Sequence, residues 1–330
     1  MPKIFDFSQL KLGKLAPRHD ARSLPFRGYV RAGALDAVPA TFDYTSGVSY
    51  QLWGNDTVGD CTCAASAGLI TTWNTKAGKP INLTTADALA VYSAVTGYNP
   101  AVPSSDRGAV IIDILKYLRS TGMAGHLLGA YGDVSIANLA YIKAACYYCE
   151  GLSIGIQLPA YCENTTEWLT ASNDVLGGHD ILLLGVNAAG NFIGVTWGMT
   201  IEVSPAFLQG QCDELHWALS ADQFPGGGIA ANGLNLAAIE ADVAAVGQFD
   251  TPVIPTPPPP IVPPVIPPII PPVTPPTGNG IDRGLAIGAV TTGFAALQAA
   301  FAHDRLLTGR MAAAQAAPFG QQIVQALTNL

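Results

Sequence analysis

From Pro252 to Pro276 the chain reads PVIPTPPPPIVPPVIPPIIPPVTPP. Proline fixes φ and lacks the N–H, so this stretch can be neither helix nor central strand, and polyproline II is the conformation left to it. At about 3.1 Å per residue it spans about 75 Å as a semi-rigid spacer. Its other residues are nearly all Val and Ile, where a solvated linker would carry Ser, Thr, Lys or Glu. Two readings stay open: a stiff linker that tolerates aliphatics, or a rod that packs on something. Beyond it, Gly284 to Ala302 carries no charge over 19 residues, a length that would permit a membrane span. Thr291, Thr292, Gln298 and three glycines keep it only moderately apolar, and Val290, Phe294, Leu297 and Phe301 share one helical face. A packed or partner-docking helix is therefore preferred to a transmembrane one.

The expected organisation is an N-terminal arm or strap over 1–37, a globular domain over 38–225, and a connecting segment over 226–250. The proline-rich segment follows over 251–277, and a C-terminal apolar helical segment over 278–330. The last two offer a route to a homo-oligomer or larger assembly. Charged residues make up 12% of the chain, the net charge is -8, and Lys and Arg are scattered, so nothing marks a polyanion-binding face. Nucleic acid is not an expected partner. The start, MPKIFDFSQLKLGKL, lacks the apolar core and cleavage site of a signal peptide. The expected location is the cytoplasm or a virion or other assembly built there, and six irregularly spaced cysteines suit a reducing compartment.

Within the globular part, Thr84 to Tyr98, Gly108 to Gly122 and Ser135 to Cys149 show helical apolar spacing with starts marked by Ser or Thr. Later runs, LSIGIQL, HDILLLGVN, NFIGVTW and TIEVS, read as consecutive short strands. Helices first and strands after predict an α+β fold. In CYYC, Cys146 to Cys149, the C-x-x-C spacing has no second pair and no redox context, so helical packing is the reading and no metal or cofactor is expected.

The chemistry centres on WGNDTVGDCTCAASAGLITTW, Trp53 to Trp73. Gly59 and Asp60 read as a turn and N-cap, which puts Cys61 in the first turn of a helix, where free N–H groups and the dipole favour a thiolate. Cys63, about 200° further round the axis, points away. A cysteine nucleophile needs a base close in space. Of five histidines, His179 stands out: it follows VLGG and opens the strand HDILLLGVN. The bland alternatives are a buried small residue at a helix start and a structural histidine at a strand start.

The body, Val38 to Phe224, resembles the papain-like cysteine peptidases, in particular their compact bacterial and phage relatives. VGDCTCAA is similar to the family's turn into its central helix, GGHDILLLGV to the strand that carries its histidine, and GVTWG to the strand ending in Asn-Ser-Trp-Gly. The resemblance implies a helical subdomain and a β-sheet or barrel subdomain, with peptide or protein as substrate. Cys61 would be the nucleophile, His179 the base and Asn55 an oxyanion donor. Two departures accompany it. Asn55 stands where the family has a longer Gln, and Val195 stands where the family has the Asn that orients the histidine. Valine cannot hydrogen-bond an imidazole, so Asp180, Asn187 or Thr196 would have to substitute, and the expectation is that no Asn or Asp does so and the site is weakened. On this reading Val195→Asn would raise turnover. The alternative is an inactive papain-fold protein with a structural or assembly role.

Overall fold

A computed structural model describes residues 4–6, 10–20, 22–223 and 233–245 of the chain. The expected proline-rich and C-terminal segments, and the connecting segment apart from 233–245, lie outside the described residues.

The elements run β1 (Leu24–Pro25), β2 (Phe42–Asp43), α1 (Cys61–Lys76), α2 (Thr85–Thr96), α3 (Ile111–Ser120), β3 (Leu128–Asp133), α4 (Leu139–Tyr148) and β4 (Leu152–Pro159). They continue as β5 (Glu167–Trp168), β6 (Val175–Val186), β7 (Phe192–Thr196), β8 (Met199–Val203), α5 (Pro205–Gln211), β9 (Cys212–Ser220) and α6 (Leu236–Ala245). The fold is α+β. The strands form one mixed sheet in the order β1-β3-β9-β4-β6-β7-β8-β5, with β2 paired to β6.

Helix α2 begins at a capping box between Thr84 and Asp87 and ends at Gly97, whose φ of 76° is the left-handed cap that favours glycine. Helix α1 is buried nearly all round, as a central helix must be. Its hydroxyls turn inward on its own backbone: Ser66 donates to the Thr62 carbonyl and Thr72 to that of Gly68, each at 2.8 Å. Gly68 is where the sheet comes closest, since a Cβ there would stand 2.8 Å from Leu182 Cδ1 of β6. That approach sets the middle of α1 against β6.

Side chains alternate along β6, and the alternation divides the core. Leu182 and Leu184 join Leu69, Ile70 and Trp73 of α1 in one apolar cluster with α2 and α3. Ile181 and Leu183 join the other, with α4 and α5. The N-terminal strap belongs to this body. Leu24–Pro25 pairs in parallel with β3, and Phe26 and Tyr29 pack on Trp217 with ring centroids 6.2 and 6.1 Å away.

Two details depart from the sequence reading. His179 does not open its strand: β6 starts at Val175, and Gly177 and Gly178 already pair with Leu158 and Gln157 of β4. These glycines serve close approach rather than a turn, because a Cβ on Gly178 would lie 2.3 Å from the Lys14 carbonyl oxygen. The second is the run Ser135 to Cys149, whose helix starts only at Leu139, behind an N-cap at Asn138.

Candidate active site

Residues 10–15 of the strap lie in the seam between the start of α1 and β6. The Lys11 N–H donates to the Asn55 carbonyl at 3.0 Å, on the helical wall, and the Lys14 N–H donates to the Gly178 carbonyl at 3.2 Å, on the sheet wall. Between them Gly13 presses on Gly59, where a Cβ would meet the carbonyl oxygen at 1.8 Å. Only glycine permits this crossing.

Cys61, at the first turn of α1, lies beneath the strap with 1% of its surface exposed. Burial, then the nearby Asp180 and Asp60 carboxyls, push the thiol up to about 12, against the backbone N–H groups of Asp180 and Gly13, which favour the thiolate. Cys63 faces the apolar cluster around α1 instead.

His179 is the neighbour of Asp180, so the strand that touches the sulfur also carries the imidazole. Its Nε2 lies 2.7 Å from the hydroxyl of Thr196 on β7. The indole of Trp197 stacks on the ring at 4.1 Å and 16°. Nδ1 is buried, with no hydrogen-bond partner among the described residues. Burial lowers the imidazole to about 3, so in this closed state His179 is neutral. With Thr196 accepting from Nε2–H, the lone pair resides on Nδ1.

Of the three residues that could have replaced an orienting amide, Thr196 holds the place. Asp180 is engaged by the Ser153 hydroxyl at 2.9 Å, and Asn187 donates to Glu202 at 2.7 Å. Val195 packs with Trp53, Ala65 and Leu182, and with them it lines the cavity that Cys61 and Asn55 share. Asn55 and Cys61 line one narrow cavity of about 20 Å³ together with Gln51, Asp180, Thr196 and Trp197. That is room for about one water. The Asn55 amide nitrogen donates to the Val58 carbonyl at 3.1 Å, within its own loop.

No family model matches the sequence, and no curated protein matches it. Solved structures do match in shape. Xylellain, a cysteine protease from Xylella fastidiosa, superposes with a TM-score of 0.53 at 16% identity, over 64% of this chain and 97% of that one. proCathepsin B S9 from Trypanosoma congolense gives a TM-score of 0.49 at 10% identity, over 65% of this chain and 88% of that one. The fold is papain-like. On this papain-like frame Cys61, Asn55, Thr196 and Trp197 line one cavity, and His179 meets it through its contacts with Thr196 and Trp197. Sequence reasoning missed Lys14, which the strap delivers to the same seam. The one signal for it was Gly155, an isolated glycine inside the strand LSIGIQLP.

Proposed function

We propose that the protein is a cysteine peptidase held closed by its own N-terminal strap, with a peptide or protein as substrate. The observation that carries this reading is the junction at the sulfur. Cys61 sits at a helix N-terminus and shares a cavity with Asp180, the residue next to His179, whose ring is oriented by Thr196 and covered by Trp197.

In the closed state thiol and imidazole are both uncharged, because burial penalises the ionised form of each. Displacing Gly13 from the sulfur admits water, and the proton can then pass from the Cys61 thiol to Nδ1 of His179. The thiolate attacks the peptide carbonyl carbon, and the C–N bond breaks as the imidazolium returns its proton to the leaving amine. Water then attacks the thioester with His179 as base, releasing the acid and restoring the thiol. The Cys61 backbone N–H at the start of α1 and the Asn55 amide are the candidate oxyanion donors.

The test compares full-length protein with a Gly13→Ala variant, using a fluorogenic peptide and an epoxide inhibitor of cysteine peptidases with adducts mapped by mass spectrometry. Turnover and a Cys61 adduct that appear in the variant and vanish with Cys61→Ala are expected. A loosened protein that turns over nothing and is alkylated at Cys61 no faster than at Cys63, Cys146 or Cys149 rejects the reading.

A second reading, an inactive papain-fold structural or assembly protein, has one observation on its side: the glycine-packed strap fills the seam. Its discriminator is light scattering on full-length protein and on a chain ending at Gly247. Monomers in both at tens of micromolar count against assembly through 251–330.

A further inference from the structure

Lys14 is a lysine with no exposed side-chain surface. Its ammonium lies 2.8 Å from Asp213 Oδ1 and 3.2 Å from Glu214 Oε1, and it donates to the Leu15 carbonyl at 3.2 Å. Burial alone would lower its pKa, yet the hydrogen bond and charge of Asp213 and the charge of Glu214 outweigh burial and raise it, so the group is an ammonium ion.

The recess that receives it is built by the sheet. Glu214 of β9, Gly155 of β4 and Asp180 of β6 stand in one cross-strand row. Residues paired in this way share a face and lie about 5 Å apart, so the missing side chain at Gly155 leaves a slot between two acids. A Cβ on Gly155 would sit 2.0 Å from Lys14 Cε and 2.8 Å from its Cδ. Each acid also has a partner other than Lys14. Gln157 donates to Asp213 at 2.7 Å, His216 lies 2.9 Å from Glu214 and 2.9 Å from Asp133, and Ser153 donates to Asp180 at 2.9 Å. The slot is therefore held in shape by partners other than Lys14.

Its position gives it a use. The residue before Lys14 presses on Gly59, two residues before Cys61, and the Lys14 backbone pairs with the residue before His179. A chain lying over the nucleophile thus presents a neighbouring side chain to this slot. We propose that the recess of Gly155, Asp213 and Glu214 binds the lysine side chain of a peptide substrate, and that Lys14 occupies it in the closed protein. The proposal rests on the peptidase reading for its substrate and on the geometry alone for its pocket, and the two are separable by experiment.

The experiment uses the full chain carrying Lys14→Ala. In thermal unfolding, n-butylammonium, a copy of the lysine side chain, is expected to restore stability where n-butanol does not. Adding Gly155→Ala, which fills the slot, abolishes the rescue. Fluorogenic peptides that differ at one position, with Lys, Arg, norleucine or Glu, then read specificity. At one position kcat/KM for Lys should exceed that for norleucine by about tenfold or more, the ordinary worth of hydrogen bonds to a charged group, and Asp213→Asn or Glu214→Gln should level the preference. Rescue without a lysine preference among cleaved peptides makes the slot a strap anchor only and overturns the proposal, as does the absence of both. If no peptide is cleaved, fluorescence anisotropy with Lys14→Ala/Cys61→Ala decides. Binding selective for the lysine peptide supports the pocket while the peptidase reading fails, and unselective binding overturns the pocket as well.

Discussion

The hydroxyl of Thr196 stands 2.7 Å from Nε2 of His179, one residue along β7 from Val195. A hydroxyl can accept the Nε2 proton as an amide oxygen does, so the imidazole keeps the tautomer a base requires. In the Gly13→Ala background, Thr196→Val is expected to lower kcat about 10- to 100-fold, while Thr196→Ser stays within about threefold. Steady-state turnover at neutral pH reads this directly. A valine variant as fast as its parent removes Thr196 from the role.

Val195 stands where the family has its orienting Asn, while Thr196 beside it is the residue that reaches the imidazole. Val195 packs in the apolar cluster beside α1 at the edge of the Cys61 cavity, so an amide there gives up apolar contacts. Val195→Asn is therefore expected to cost about 1–3 kcal/mol in stability and to leave turnover no higher. Denaturant unfolding and the same peptide assay check both halves, and a gain in turnover would return the orienting role to this position.

Gly13 holds the strap onto the sulfur. An alanine there collides with the Gly59 carbonyl at 1.8 Å, so the strap must lift and water must reach Cys61. A thiol at about 12 that relaxes to the ordinary value of 9 gains thiolate at neutral pH by roughly a factor of 1,000. Iodoacetamide labelling of Cys61 in Gly13→Ala should therefore outpace the wild type by about 100-fold or more. Equal rates would mean that the strap does not gate the thiol.

The helices were legible because their apolar spacing and caps are local. The Thr84 to Tyr98 run became Thr85–Thr96, and the capping box that starts it lies in four consecutive residues. Cys61 and His179 were singled out together only through the order of motifs. What stayed hidden depends on partners far along the chain. Gly178 looks like a turn glycine until Lys14, more than 160 residues away, is seen to press on it. Glu214 and His216 gave β9 the polarity of a surface strand, although both are buried in an ionic row that ends at the strap. Thr196 and Val195 are adjacent in sequence, and only the strand's pleat tells which one meets the histidine.

Asp60 offers a test of the site's electrostatics through pH. It precedes the nucleophile, has no exposed surface, and caps none of the free N–H groups of α1. Asn55, the amide beside it, donates to the Val58 carbonyl at 3.1 Å, and its amide and the Asp60 backbone N–H only partly offset the burial of the carboxyl. Burial, with the repulsion of Asp106, raises the carboxyl from 3.8 to about 8. The folded-state pKa is above the unfolded one, so folding is favoured by the bound proton. That contribution is fully present below about pH 4 and is lost as pH rises through about 8. Asp60→Asn keeps the shape and cannot ionise. Between pH 5 and pH 8 the wild type should lose stability relative to this variant by up to about 1.4 kcal/mol per pH unit. Urea unfolding of the two proteins across that range measures the difference, and parallel profiles would show that Asp60 is already ionised in the folded protein.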